Sequence, residues 1–579
     1  MKNLLIFFVI FNTYISSSVD WSDPNQCKLP DHSEFISQIV NEMTLEQKVG
    51  QIIMPEINSV TPEEAKRYHF GTILNGGGGF PNQNKNSTVN DWKALSKDYF
   101  NASTEVNGIK IPILWGTDAV HGHNNVIGAT IFPHNIALGA TRNPELIKKI
   151  GDAVAKEVSS TGIIWTFAPT IAVPQNDLWG RTYEGYSEDP KLVTELGKNF
   201  ILGLQGEGDK FLINQHILAT AKHFLGDGGT DQGIDQGDTI IDEQILKDVH
   251  GMPYYDAIDS CALSIMASFN SWNGLKSHGN KYLLIDILKS QMNFDGFIVG
   301  DWNGHGQLPG CEDSNCPEAF NSGVDIFMVP QEWEGLYWNT LAQVNSGIIP
   351  IDRLDDAVTR ILKVKKYLGL FDNRMPHQFN KNYLGNKDHR NIARQAVRES
   401  LVLLKNKSST LPLNPGKRFL IIGEQSKFIE NQMGGWTITW QGTELTRSDF
   451  PNTLSIYEAL ADQVTSNGGS IEFSQNGSYK QKPDYVISIY GENPYAEFFG
   501  DVKDLSFKYF SEGAKFPMTY YGQLSFNEIK NSESFTLKDD GKFEKEYEKE
   551  FEKNKLIRHL KILKELNATK YGKDIVKHL

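Results

Sequence analysis

The apolar run Gly296-Phe297-Ile298-Val299 passes through Gly300 and delivers a carboxylate and an indole side by side, Asp301 and Trp302. That pairing suits sugar chemistry, because an aromatic ring stacks on the apolar face of a pyranose while a carboxylate reaches its anomeric carbon. The plain structural alternative is an Asp301 that only caps the helix after it. Polar and ionisable residues stand just beyond other apolar runs as well. Asp118 follows Ile111-Pro112-Ile113-Leu114, Lys222 and His223 follow Leu218-Ala219-Thr220-Ala221, and Asn270 follows Ser264-Ile265-Met266-Ala267.

The elements that would bring these groups together are short β-rich runs alternating with longer helical patterns between about 35 and 375. This is the signature of βα units around a parallel sheet. Beside the four runs named, strands are expected at Gln51-Ile52-Ile53-Met54, Gly71-Thr72-Ile73-Leu74, Ile163-Ile164-Trp165-Thr166 and Asp325-Ile326-Phe327-Met328. Eight units predict a closed (β/α)8 barrel, with a doubly wound sheet as the alternative. In a barrel the carboxyl ends of all strands open on one face, so the polar residues would converge there. The amphipathic stretch Ile351 to Leu362 predicts a late helix, and 374–388 reads as a linker. A second α/β domain is expected over 389–507, with a helical run ending in Leu401-Val402-Leu403-Leu404 and strands at Phe419 to Gly423 and Tyr485 to Ile489. The barrel domain would thus span 19–373, and 508–579 reads as a charged, partly helical tail whose Lys538 to Glu565 stretch is an exposed charged helix.

The 579 residues carry 57 Lys and Arg against 71 Asp and Glu, a net charge of −14 that would repel a phosphate backbone. Nucleic acid is not expected as a partner. Lys2 followed by Leu4 to Phe11 and then Ser16-Ser17-Ser18 has signal-peptide anatomy over 1–18. This apolar run is shorter than the ~20 residues a membrane span needs, and no later segment approaches that length. Four cysteines, Cys27, Cys261, Cys311 and Cys316, permit disulfides in a secreted chain. Cys311 and Cys316 are close enough for a small loop, and Cys27 with Cys261 is also possible. Sequons begin at Asn86, Asn101, Asn406, Asn476 and Asn567. Extracellular or lysosomal delivery by the secretory pathway is the expectation. Asn75-Gly76-Gly77-Gly78-Gly79 lacks the ending of a phosphate loop and reads as a flexible barrel loop. Asp118, His121, His123 and Asp227 fit no zinc spacing, so neither metal nor cofactor is expected.

Longer segments surround these residues: Trp115-Gly116-Thr117-Asp118-Ala119-Val120-His121-Gly122, Trp179-Gly180-Arg181 running on to Asp189-Pro190, Ala221-Lys222-His223-Phe224-Leu225-Gly226-Asp227, Met266 to Gly274, and Gly434-Gly435-Trp436 to Trp440. In this order, over roughly 35–505, they resemble glycoside hydrolase family 3, the secreted β-glucosidase and exo-β-glucanase type. The resemblance implies a barrel followed by an α/β sandwich with the active site between them, and removal of terminal glucose from β-glucosides or β-glucan oligosaccharides with retention of configuration. It makes Asp301 the nucleophile. Asp118, Arg181, Lys222 and His223 become ligands of the glucose hydroxyls, and Trp302 and Trp440 sandwich the next sugar. Phe269 departs from the pattern, since plant members tend to carry a tyrosine there. A retaining enzyme also needs a general acid about 5 to 5.5 Å from the nucleophile. The segment Gly491-Glu492-Asn493-Pro494-Tyr495-Ala496-Glu497 matches the one that supplies it, through Glu497 or, as the alternative, Glu492. Lys222 and Arg181 would keep Asp301 ionised, while burial raises the acid.

Two other readings stand beside this one. A β-N-acetylhexosaminidase branch uses a histidine on a barrel loop, and no histidine occurs between His223 and His250. Beyond about Phe507 the family's later strands are not recognisable, so an incomplete sandwich in a truncated, non-catalytic or non-folding member is the competing expectation. The sequence leaves linkage preference and oligomeric state open.

Overall fold

The computed structural model describes residues 19–23, 27–475 and 477–502. The expected signal peptide, the charged tail and the sequons at Asn476 and Asn567 lie outside the described residues. Eight parallel strands make up the first unit: β1 Ile53–Met54, β2 Thr72–Asn75, β3 Leu114–Thr117, β4 Trp165–Thr166, β5 Thr220–Phe224, β6 Ser264–Ala267, β7 Phe297–Val299 and β8 Phe327–Met328. They pair as three sheets: β1 with β8, β2-β3-β4, and β5-β6-β7. Parallel bridges Glu56 to Leu74, Trp165 to Leu218 and Val299 to Ile326 join those sheets, so the pairing runs round all eight strands in chain order. Every strand residue is buried, as expected for strands covered by helices outside and by side chains within.

The third strand begins later than its apolar run predicts. Pro112 has no N–H to give a ladder. Ile109–Ile111 instead closes an antiparallel hairpin with Thr104–Val106, turning at Asn107 and Gly108, which both have positive φ. The parallel strand then starts at Leu114. Helices Pro144–Ser160 and Pro190–Gln205 start at Asn143 and Asp189, whose side chains accept the N–H groups of Leu146 and Lys191. Each has proline in its first turn, where a missing N–H costs nothing. The helix Ile351–Tyr367 buries Leu354, Val358, Ile361 and Leu362, as its amphipathic pattern predicts.

In the second unit β9 Arg418–Ile422 lies between β10 Ser470–Ser474 and β11 Tyr485–Ser488, all parallel. Phe419, Ile421 and Val464, the last on the helix Ile456–Ser466, form a small separate core. The helix expected to end in Leu401 to Leu404 ends at Ser400 instead. Its capping residue Leu401 is extended, and Leu401 to Leu404 are exposed. Ile429, Ile438, Leu445 and Phe450 leave the second unit's own core and join the barrel's.

Asp325 fixes the barrel beneath the open face. Its Oδ2 accepts the Ile298 N–H at 2.8 Å, while Oδ1 accepts Lys289 Nζ at 2.7 Å and Arg353 at 2.8 Å. Burial opposes the charge, but Lys289, Arg353 and Arg360 outweigh it and hold the carboxyl below its usual range. Breaking a buried charge network from one side costs about 3 kcal/mol. Asp325→Asn is therefore expected to lower the thermal unfolding midpoint at neutral pH. A depressed carboxylate stabilises above its unfolded pKa of about 3.9 and loses that contribution as pH falls, so the difference from wild type should narrow in acid.

Candidate active site

The open face of the barrel gathers Asp118 and Asp301 just past β3 and β7, while Lys222 and His223, expected beyond their apolar run, lie within β5 because that strand continues to Phe224. Asp301, two residues past β7, is buried. Its backbone N–H donates to His278 Nε2 at 2.9 Å. That nitrogen is therefore an acceptor, so Nδ1 carries the proton and donates to the Ser268 carbonyl at 2.9 Å. Burial pushes His278 down to about 3 and keeps it neutral. The Trp302 N–H then donates to Asp301 Oδ1 at 2.7 Å, and Oδ2 lies 3.7 Å from His223 Nε2. Asp301 is thus pointed into the site by backbone contacts on both sides. Its burial outweighs Arg181, Lys222 and the Trp302 N–H, and its pKa is raised to about 6. Arg181 and Lys222, expected to keep it ionised, moderate this upward shift.

Arg181 joins the remaining groups. Its Nε and one terminal nitrogen each donate to Glu184 at 3.0 Å, and the same terminal nitrogen reaches His223 Nε2 at 3.0 Å. A guanidinium can only donate, so His223 Nε2 accepts and Nδ1–H donates to Asp227 Oδ2 at 2.8 Å. The other terminal nitrogen lies 3.5 Å from Glu497 Oε1. The pair Arg181–Glu184 is present, but Arg181 serves more than that pair. Lys222 Nζ donates to Asp118 Oδ1 at 3.2 Å and sits 5.8 Å from the Trp436 ring centroid. The Trp436 indole N–H in turn donates to Glu184 at 3.1 Å. Burial also pushes Asp118 up, with Lys222 opposing it.

The second unit supplies Glu497 at the start of the short turn Glu497–Gly500. Burial pushes this carboxyl up to about 8; Arg181 opposes the shift, and Asp235, Asp301 and Glu184 add to it. Glu492 is exposed and accepts the Tyr495 hydroxyl at 2.8 Å. Of the two glutamates in that segment, the fold brings Glu497 to Arg181.

Trp302 and Trp440 meet at the glycine loop expected to be flexible. A Cβ on Gly76 would lie 2.7 Å from the Trp302 ring, and one on Gly77 would lie 2.8 Å from Trp440 Cα. The glycines are there because the tryptophans come this close. Trp302 remains 37% exposed, and Trp440 packs edge-on against Phe498 and Phe499 at 5.9 and 5.7 Å. Phe269 lies beside His278, with no hydroxyl to offer. Asn270, expected among the converging groups, bonds to Leu225, Thr239 and Ser271 and braces neighbouring loops.

Sequence reasoning did not single out His278, Glu184, Trp436, Asp235 or Asp501 as site residues. Trp436 and Glu184 lie inside segments quoted above, but nothing in those segments distinguishes them from their neighbours. Asp118, His121, His123 and Asp227 go to separate partners: His121 to Phe132 and Thr437, His123 to Thr161. Among the described residues no three His, Cys, Asp or Glu side chains are grouped to hold a metal ion, and no helix is long and apolar enough to cross a membrane.

Comparison with known proteins shows which family the chain resembles. The profile of the Glycosyl hydrolase family 3 N terminal domain matches residues 44–364, and that of the family's C-terminal domain matches 401–516. The chain is 31% identical over 519 residues to a lysosomal beta glucosidase of Dictyostelium discoideum, covering 82% of this chain and 63% of that protein. It is 28% identical over 428 residues to a periplasmic beta-glucosidase of Salmonella typhimurium, covering 70% and 52%. This chain thus spans less than two thirds of either relative. Among solved structures, an exo-1,3/1,4-beta-glucanase from a Pseudoalteromonas species superposes with a TM-score of 0.82 at 48% identity, over 85% of this chain and 62% of that one.

Proposed function

The chain belongs to glycosyl hydrolase family 3, and on that premise we propose that it is a retaining, exo-acting β-glucosidase that removes terminal non-reducing glucose from glucosides or β-glucan oligosaccharides. One observation carries the reading. Carboxyls from different units converge on one bonded pair: Asp301 lies 3.7 Å from His223 and Glu497 3.5 Å from Arg181, two residues that bond to each other, and the carboxyl pKa values are raised to about 6 and about 8. Between those values the first is ionised and the second keeps its proton, which is the division of labour that retaining cleavage needs. The names of the relatives point the same way.

In this mechanism Asp301 attacks the anomeric carbon as the bond to the leaving oxygen breaks, and Glu497 gives that oxygen its proton. The product of the first step is a glucosyl ester on Asp301 and a Glu497 carboxylate. Glu497 then takes a proton from water, the water oxygen bonds to the anomeric carbon, and Asp301 departs as a carboxylate. Two inversions leave the sugar in its original configuration. Asp118, Arg181, Lys222 and His223 hold the hydroxyls of the glucose, and Trp302 and Trp440 hold the next sugar between their faces. No step calls for a metal or cofactor.

The same reading sends the chain through the secretory pathway, to the exterior or to a lysosome. Disulfides Cys27–Cys261 and Cys311–Cys316 support it, as do exposed sequon asparagines at Asn86, Asn101 and Asn406.

The proposal is tested by the pH dependence of kcat/KM for a β-glucoside. It should rise as pH passes up through about 6, where Asp301 loses its proton, and fall beyond about 8, where Glu497 loses its own. A profile without both limbs contradicts the assignment. Glu497→Ala should slow hydrolysis of glucosides with poor leaving groups by ~10²–10⁴-fold and affect activated aryl glucosides much less. Glu492→Ala should behave like wild type. If Glu492→Ala carries the leaving-group signature instead, the acid is Glu492.

A further inference from the structure

The geometry points to Asp501 as a positioning residue that latches the segment carrying Glu497 onto the barrel, a role that rests on the acid/base reading of Glu497 above. Its two carboxylate oxygens each accept a backbone N–H from a different barrel loop. Oδ1 takes Gly180 and Oδ2 takes Asp235, both at 2.9 Å. The next residue completes the attachment, with the Val502 N–H donating to the Leu178 carbonyl at 2.8 Å.

Both anchored loops belong to the acid's surroundings. Gly180 immediately precedes Arg181, which lies 3.5 Å from Glu497 Oε1. Asp235, held by the Trp179 indole N–H at 2.9 Å, is one of the carboxyls that push Glu497 upward. One side chain therefore sets the spacing between the acid, its guanidinium partner and the carboxyl beside it. Direct contact between the segments is also close. A Cβ on Gly180 would come within 2.3 Å of the Glu497 carbonyl oxygen and 2.6 Å of the Asp501 nitrogen.

The latch answers a local need. Glu497 has φ of 55°, a conformation that residues other than glycine adopt rarely and keep only where their surroundings impose it. The turn Glu497–Gly500 is too short to impose it alone, and Asp501 ties the turn's far end to two fixed donors. Burial pushes Asp501 up to about 6, against the pull of the Asp235 and Gly180 N–H groups. At neutral pH it is therefore the ionised, doubly accepting form. An asparagine has one accepting oxygen and would turn its NH2 toward one of the donors.

The test compares full-length wild type with Asp501→Asn and Asp501→Ala. It uses three readouts: kcat/KM on a β-linked glucose disaccharide and on dinitrophenyl β-glucoside, competitive inhibition by glucose, and amide hydrogen exchange at Gly180 and Asp235. The disaccharide rate should fall by ~10²-fold or more and the aryl glucoside by less than ~10-fold, as for a misplaced general acid. Inhibition by glucose should be unchanged, and both amides should exchange faster. Equal losses on both substrates, or weakened glucose inhibition, would assign Asp501 a general structural role. Unchanged exchange at Gly180 and Asp235 would remove the latch itself. A wild-type chain that cleaves no β-glucoside defeats the underlying reading, and the exchange measurement still decides the latch.

Discussion

Arg181 carries a charge it cannot release into a place where charge is expensive. A guanidinium stays protonated at any working pH, and burying an ion costs several kcal/mol unless acceptors surround it. Here Glu184 accepts from it twice, His223 accepts once, and Glu497 lies 3.5 Å away. Each contact fixes something further. The bond to His223 forces that ring's proton onto Nδ1 and so toward Asp227. Glu184 also receives the Trp436 indole N–H, which draws the second unit onto the barrel. Among the described residues, the carboxyls of Asp118, Glu184, Asp227, Asp235, Asp301 and Glu497 share this buried region with two cations, Arg181 and Lys222. They cannot all be ionised cheaply: burial raises Asp118 and Asp235, lifts Asp301 to about 6, and lifts Asp227 and Glu497 to about 8. Burial is the largest cause of the shift at both Asp301 and Glu497, and Arg181 moderates each.

Neither unit makes the site alone. The barrel brings Asp118, Arg181, Lys222, His223 and Asp301 to its open face, while Glu497, Trp436 and Trp440 come from the other unit. Their alignment rests on hydrogen bonds between the units and on a shared core. The Ile438 N–H donates to the Asn124 carbonyl at 2.7 Å, and the Tyr183 hydroxyl donates to the Tyr495 carbonyl at 2.7 Å. Ile438 and Leu445 then share the barrel's core, so the loop bearing Trp440 is packed as part of the first unit.

Much of this framework was legible because parallel strands buried on both faces leave continuous apolar runs, and all but the third strand were placed in that way. Asp301 and Trp302 were legible for the same reason, as the polar exit of such a run. The displaced third strand was a matter of one proline in an otherwise suitable sequence. Glu497 was a different problem. The resemblance put Glu497 ahead of Glu492, but residue type alone does not separate two glutamates in one short segment; the fold leaves Glu492 exposed and brings Glu497 to Arg181. His278 and Asp501 gave no signal, because they act on backbone N–H groups 23 and 321 residues away, and an N–H donor has no sequence identity. The glycine loop was read as flexible because its close contacts, Trp302 and Trp440, are distant in the chain.

The central claim is that Asp301 is the nucleophile that bonds covalently to the sugar, held ready by His278, Trp302 and the cations around it. Incubation with a 2-deoxy-2-fluoro-β-glucoside bearing a dinitrophenyl leaving group, followed by peptide mass spectrometry, tests it most directly, since the fluorine slows breakdown of a glycosyl ester once it forms. The account predicts one fluoroglucosyl group per chain, on the peptide containing Asp301 and on that carboxylate, with no label in Asp301→Asn. A label on another carboxylate, or none in a chain that continues to hydrolyse β-glucosides, would contradict it.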